Sequence, residues 1–282
     1  MRMVATDLDG TIIPHGGAVS QRTLDAFAAC EEAGIKVVFV TGRPPRWLEP
    51  VIDATGHRGY AIAANGAMVI DVEREQNLIV HGIPADTVLE VVETMRSVVP
   101  DFVVAAETPD QFLIEEAYAG QRQPRKAEGL LPAFNTGNEL YAPRVEDLLD
   151  NSHEVIKLVG RSKQLTVDGL LAAGRENVGH LIAATHSSVD VPLLEMAAQG
   201  VTKATTLAEL AGTWGLSPAD VVAFGDMPND SDMLRWAGHS YAMDGGHPEA
   251  VEAATHLAPP AIEDGVAQVL EGMLADTSLH IR

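Results

Sequence analysis

Short apolar runs alternate with amphipathic stretches along most of this chain, and that alternation predicts its elements. Val4-Ala5-Thr6 runs straight into Asp7-Leu8-Asp9-Gly10-Thr11, and Ile35 to Val40 is a continuous apolar run bounded by turn signals. Tyr60 to Ala64, Val221 to Phe224 and Ser240 to Met243 are similar runs. Runs of this kind suit parallel strands buried on both faces. Between them, a helix from about Gln21 is capped by Ser20 and stopped by Gly34, and a second carries Trp47, Leu48, Val51 and Ile52. Thr202 caps a helix holding Lys203, Leu207, Leu210 and Trp214, and Ile262, Val266, Val269, Leu270 and Met273 give the last helix one apolar face. Met68 to Ile70 and Leu78 to Val80 read as hairpin arms following the Asn65-Gly66 turn. The expected class is α/β, a doubly wound parallel sheet with helices on both faces.

From about Pro84 the pattern changes. A helix with Val88, Val91, Val92 and Met95 on one side precedes strand-like runs at Phe102 to Ala106 and Gln111 to Glu115. Residues 119–145 are polar and poorly patterned and read as loop with one helix at most. Val155 to Val159, a helix near Thr166 to Arg175, and Leu181 to Thr185 follow. This block reads as an inserted α+β domain carrying none of the chemistry found elsewhere. The expected division is 1–83 and 191–282 for the core and 84–190 for the insertion, with Ile83-Pro84 and Val191-Pro192 near the hinges. The residues from Asp276 onward are expected to fray.

Composition narrows the function. The 282 residues are 46% hydrophobic and 21% charged, as in ordinary globular proteins. No run reaches membrane-span length, and no basic-then-apolar leader precedes the first motif, so a cytoplasmic protein is expected. A formal net charge of −21 argues against nucleic acid or an anionic membrane as partner, and an anionic ligand would need placed cations. The single cysteine, Cys30, forms no internal disulfide and reads as buried filler. None of the ten histidines stands at zinc-ligand spacing from another His or from Cys.

The chemistry gathers at strand ends. Side chains two apart in extended chain point the same way, so Asp7 and Asp9 share a face where the first strand ends. Two such carboxylates repel unless a cation sits between them, and a hard, oxygen-loving divalent ion, Mg²⁺, fits. Thr41-Gly42-Arg43, Asn65-Gly66 and Asp226 to Asp230 also follow the carboxyl ends of buried strands, the edge where open parallel sheets bind ligands. Mg²⁺ with Lys203 would neutralise a phosphate, and Thr41 with the Gly42 backbone would donate to its oxygens. The reading is phosphoryl transfer.

Asp7-Leu8-Asp9-Gly10-Thr11, Val40-Thr41-Gly42-Arg43, Gly200-Val201-Thr202-Lys203 and Gly225-Asp226-Met227-Pro228-Asn229-Asp230 resemble, in order, the four motifs of the haloacid dehalogenase superfamily. Asn65-Gly66-Ala67 and the large insertion are similar to its Cof-like phosphatases of subfamily IIB, which carry a type-2 α/β cap. The resemblance implies that Asp7 is the nucleophile and Asp9 the acid and then base, its backbone carbonyl also binding the metal. It implies Asp226 as the third metal ligand with Asp230 behind it, and Thr41 and Lys203 on the phosphoryl group. Asn229 would hold Lys203 or the substrate, and Arg43 and Asn65 would lie where the leaving group meets the cap. Met243-Asp244-Gly245-Gly246-His247-Pro248 departs from the family's usual Gly-Asn pair. The substrate would be set by the cap, where Glu115, Arg122, Arg125 and His186 are surface candidates. A phosphomutase and a non-catalytic phosphoacceptor or phospholigand-binding module are the alternatives; a receiver needs neither Asp9 nor a cap.

Overall fold

A computed structural model describes residues 1–121, 138–149, 153–186 and 192–276. In chain order come β1 (Met3–Thr6), α1 (Gln21–Glu32), β2 (Lys36–Val40), α2 (Glu49–Thr55), β3 (Tyr60–Ala63), β4 (Met68–Asp71) and β5 (Gln76–Val80). The insertion contributes α3 (Ala85–Val98), β6 (Val103–Glu107), β7 (Phe112–Glu115), α4 (Glu116–Ala119), β8 (Glu139–Ala142), β9 (Lys157–Arg161), α5 (Val167–Val178), β10 (Ile182–Thr185) and β11 (Leu193–Ala198). The chain closes with α6 (Lys203–Thr213), β12 (Val221–Gly225), α7 (Ser231–Trp236), β13 (His239–Met243), α8 (Pro248–Ala253), β14 (His256–Ala258) and α9 (Gly265–Ala275).

The first sheet has the order β14-β13-β12-β1-β2-β3-β4-β5, parallel from β14 to β3 and antiparallel through the β4–β5 hairpin. Alternate residues of its strands serve two cores. Val4, Val37 and Phe39 pack with Phe27 of α1, Val51 of α2 and Leu270 of α9, while Met3, Ala5, Val38 and Val40 pack with Leu207 of α6 and Leu234 of α7. Burial on both faces is why these strands are apolar throughout. Cys30 is fully buried in the first core, and burial pushes its thiol up to about 11.

The second sheet runs β10-β11-β9-β6-β7-β8, antiparallel except for β7–β8. One face, with Val104, Leu113, Leu158 and Leu194, packs with Val91 and Val92 of α3 and Leu170 of α5. Cross-strand partners share a face, so Glu107, Lys157, Phe112, Glu195 and Thr185 stand on the other.

Several expectations need correction here. Glu139–Ala142 forms β8 rather than loop, and Ile262 lies before α9 and is exposed. Strand pairing keeps Leu193–Ala198 in the second sheet, antiparallel to β9 and β10, so the chain returns to the parallel sheet at α6 rather than at residue 191. Glu115 is no surface group either; it is buried, pairs with Arg96 and accepts from Val104 N at 2.9 Å. Arg122, Arg125, Val191 and residues 277–282 lie outside the described residues. Among the described residues no helix is long and apolar enough to cross a membrane.

His57 follows the left-handed Gly56 that ends α2, and its ring stacks on Phe39 with centroids 4.0 Å apart. Burial pulls its pKa down to about 4, against the Tyr60 carbonyl 3.2 Å from Nε2. A depressed folded pKa contributes stability above the unfolded value near 6.5 that is lost as pH falls toward 4. Urea unfolding at pH 7 and pH 4.5 should therefore cost the wild type about 2 kcal/mol more than it costs a His57→Phe variant. Equal losses would show that His57 is not held neutral.

Candidate active site

Three segments far apart in sequence meet at the carboxyl ends of β1 and β12. Asp7 leaves β1 with its amide donating to the Phe224 carbonyl at 3.0 Å, which ties it to the neighbouring strand. Lys203, the first residue of α6, is only 1% exposed and donates from Nζ to Asp7 Oδ1 and Asp230 Oδ1, both at 2.6 Å. Its position follows from the helix start, where Thr202 and Thr205 form a reciprocal capping box. The second oxygen of Asp230 accepts from the amides of Asp226 (3.0 Å) and Met227 (2.9 Å), which shapes the loop after β12. Thr11 Oγ1 donates to Asp226 Oδ1 at 2.8 Å. Gly10, at φ +87°, passes so close that a Cβ there would lie 2.2 Å from Asp226 Oδ2. Only glycine fits both demands.

The cluster is electrostatically unbalanced. Carboxylate oxygens of Asp7, Asp226 and Asp230 lie within 4.8 Å of one another. Burial drives Asp7 well above the usual carboxylate range, against the pull of Lys203, with Asp230, Asp226 and Asp9 adding to the rise. Burial also lifts Asp226 to about 7, reinforced by Asp230 and opposed by Thr11 and Lys203. For Lys203, burial works against the charge, but Asp230 and Asp7 outweigh it and raise its pKa. Close, hard oxygen donors carrying more negative charge than one ammonium balances are a donor set that fits a divalent cation.

Arg43 and Asn65 come from the loops after β2 and β3. The buried Arg43 guanidinium grips Asp9 through Nε–Oδ2 at 2.7 Å and Nη2–Oδ1 at 2.6 Å. Its amide donates to Thr41 Oγ1 at 3.0 Å, closing the Thr41-Gly42-Arg43 turn. Asn65 adopts a left-handed conformation, φ 59° and ψ 29°, which asparagine tolerates better than most residues. Its Nδ2 donates to Glu195 Oε2 at 2.7 Å, and its Oδ1 accepts from Asn229 Nδ2 at 2.9 Å. Asn229 thus holds Asn65, and Asp230 rather than Asn229 holds Lys203.

The inserted domain supplies groups that the sequence reading denied it. Lys157 donates to the Gly42 carbonyl at 3.0 Å and pairs with Glu195 at 2.9 Å. Arg46 forms a two-bond pair with Glu107, at 2.9 and 2.6 Å, while its guanidinium lies 4.4 Å from the Phe112 ring centroid. All four charged side chains are nearly buried. The available signal was a charge inside an apolar run: Lys157 lies between Ile156 and Leu158, and Glu195 between Leu194 and Met196.

The chain belongs to the haloacid dehalogenase-like hydrolase family, whose model matches residues 4–270. It is 25% identical to the 5-amino-6-(5-phospho-D-ribitylamino)uracil phosphatase YwtE of Bacillus subtilis (strain 168), over 98% of this chain and 99% of that protein. It is 27% identical to the HMP-PP phosphatase of Serratia proteamaculans (strain 568), over 88% and 85%. The pyridoxal phosphate phosphatase YbhA of Escherichia coli (strain K12) is also 27% identical, over 91% and 92%. Among solved structures, a haloacid dehalogenase-like hydrolase from B. subtilis shares the fold with a TM-score of 0.80 at 20% identity, covering 96% of this chain and 99% of that one.

A carboxyl whose folded pKa is raised makes the folded chain bind a proton that the unfolded chain has released. The contribution of Asp226 to the stability of metal-free protein should therefore fall as pH rises from about 4 to about 7. Asp226→Asn should remove on the order of 3 kcal/mol of that decline in EDTA, read by urea unfolding. An added divalent cation should stabilise the wild type more at pH 8 than at pH 5. A metal-free profile that the variant leaves unchanged would contradict the arrangement.

Proposed function

We propose that this protein is a Mg²⁺-dependent phosphatase of a small phosphorylated metabolite, acting through a phosphorylated Asp7. The observation that carries the reading is the buried set Asp7, Asp226 and Asp230 with Lys203 fixed between Asp7 and Asp230, beside an Asp9 held separately by Arg43. Membership of the family and the phosphatase activities named for three relatives support it.

In this mechanism Asp7 and Asp226, with the Asp9 carbonyl, would hold the metal, and Mg²⁺ there would supply neutralising charge for the phosphoryl oxygens. Lys203 and Thr41 bind those oxygens, and the Gly42 backbone shapes their cradle. An Asp7 oxygen attacks phosphorus as the ester P–O bond breaks, and Asp9, once an oxygen released by Arg43 has taken a proton from solvent, gives that proton to the departing alkoxide. Asp9, now a carboxylate, takes a proton from water, whose oxygen attacks phosphorus and frees Asp7 and inorganic phosphate. The Arg43 fork occupies both Asp9 oxygens, so the leaving group must displace one of those bonds on arrival. Arg43, Asn65 and Asn229 then border the leaving group. The Arg46–Glu107 pair, with the hydrogen bonds from Lys157 to the Gly42 carbonyl and from Asn65 to Glu195, holds the cap against the core, an arrangement that a non-catalytic phosphoacceptor does not need.

A phosphate-release screen over phosphorylated metabolites, with Mg²⁺ and with EDTA, should find metal-dependent turnover. Asp7→Asn should reduce it by about 10³-fold or more with an unchanged circular dichroism spectrum. Substantial residual activity would exclude Asp7 as nucleophile. Asp9→Asn should still take up phosphate from a good leaving group but release it slowly, seen as accumulation of phosphorylated protein. Normal turnover in that variant would assign the base elsewhere. Isomerisation of a sugar phosphate without phosphate release would mark a mutase.

A further inference from the structure

The acid cluster can be reached from a direction that the cap does not cover. A cleft of about 310 Å³ opens between the loop after β13 and the turn before α9, and reaches Gly10 and Asp226. Among the described residues, those lining it all belong to the parallel-sheet half of the molecule, and none of them is Lys or Arg. Asp244 stands on its exposed rim, and Ala261 and Ile262 form the opposite lip, with Ile262 79% exposed. The rim loop is pinned to the acid it overlooks, because the His247 amide donates to the Asp226 carbonyl at 2.7 Å. Gly246 passes so close that a Cβ there would lie 2.9 Å from the carbonyl oxygens of Asp226 and Met243. The segment in which the chain departs from the usual family pattern is therefore the wall of this cleft.

On the cap side Arg46–Glu107 and Lys157–Gly42 tie the two halves together, and Arg43 is bonded to both Asp9 oxygens. A substrate too large for the cleft must break those bridges to enter. A hydrated cation needs no such opening, because an acidic, uncapped cleft already leads to Asp226.

We propose that the cleft between Asp244 and Ala261 is the route by which the divalent cation reaches and leaves Asp226 while the cap remains closed. The proposal rests on the reading that Asp7 and Asp226 hold the cation. On it, the protein exchanges metal independently of substrate, and Asp244 acts by drawing cations to the mouth. A path differs from a ligand in its kinetic signature: narrowing it slows uptake and release equally and leaves the equilibrium unchanged.

The test uses full-length protein stripped with EDTA and reloaded with Mn²⁺, whose release into a fluorescent chelator is followed by stopped flow and whose Kd is measured by electron paramagnetic resonance. Ala261→Trp should slow release by about fivefold, equivalent to ~1 kcal/mol of barrier, with Kd unchanged. Ile262→Trp, at an exposed position, gives the same test should the first variant fold poorly. Asp244→Asn should slow uptake by about threefold at low ionic strength, a difference that disappears near about 0.5 M KCl. Glu107→Gln, which loosens the cap, should leave Mn²⁺ release unchanged. Unaltered release in both tryptophan variants, or release accelerated by Glu107→Gln alone, would overturn the route while leaving the metal site standing. Failure of the wild type to bind Mn²⁺ would overturn both.

Discussion

The arrangement depends on one buried ammonium group. Lys203 is almost wholly removed from water, which is tolerable only because Asp7 and Asp230 each accept from it at 2.6 Å. That requirement fixes three things together: where α6 begins, how the loop after β12 folds, and which way Asp7 points as β1 ends. Breaking such a triad by removing one partner strands a buried charge, whereas replacing the whole set with apolar groups can leave a fold as stable as before. Its value to this protein therefore lies in holding charge ready at the strand ends, beyond what the core needs for cohesion.

The same logic explains how so acidic a chain can receive an anion. Four of the 19 basic side chains, Lys203, Arg43, Arg46 and Lys157, sit at or around one seam, and each is matched to carboxylate oxygens. The pairs keep these cations oriented, and an arriving phosphate competes with carboxylates already in place. Three of these groups, Arg46 through Glu107, Lys157 through the Gly42 carbonyl and Glu195 through Asn65, also tie the cap to the core, so charge organisation and closure are one structural feature.

Much of this was legible in the sequence. Alternate residues of β1 and β2 face different helical layers, and that double burial leaves a continuous apolar run that pattern reading recognises. The strand-end acids, Thr41, Arg43, Asn65 and Lys203 stood out because each follows or faces such a run. Glu107, Lys157 and Glu195 did not stand out, because the cap sheet is covered by α3 and α5 on one face and meets the core on the other. Its strands consequently look like core strands with a stray charge. For the same reason the core reads as resuming at residue 191, ahead of the cap strand Leu193–Ala198, since nothing local tells a run which sheet it will join. Asn229 was legible as a site residue, but its partner depends on the left-handed turn at Asn65, which spacing alone does not reveal.

The strand order has a consequence for biosynthesis. β1 lies between β2 and β12, and β12 is made only after the whole cap has been translated. On the ribosome, then, the amino-terminal strand has one hydrogen-bonding edge satisfied early and the other left bare for nearly 200 residues of growth, the kind of exposure that invites wrong pairings. Lys203 and Asp230 arrive in that same late portion, so a nascent or truncated chain carries Asp7 without its counter-charge. The acid cluster is thereby assembled only after the whole cap has been made.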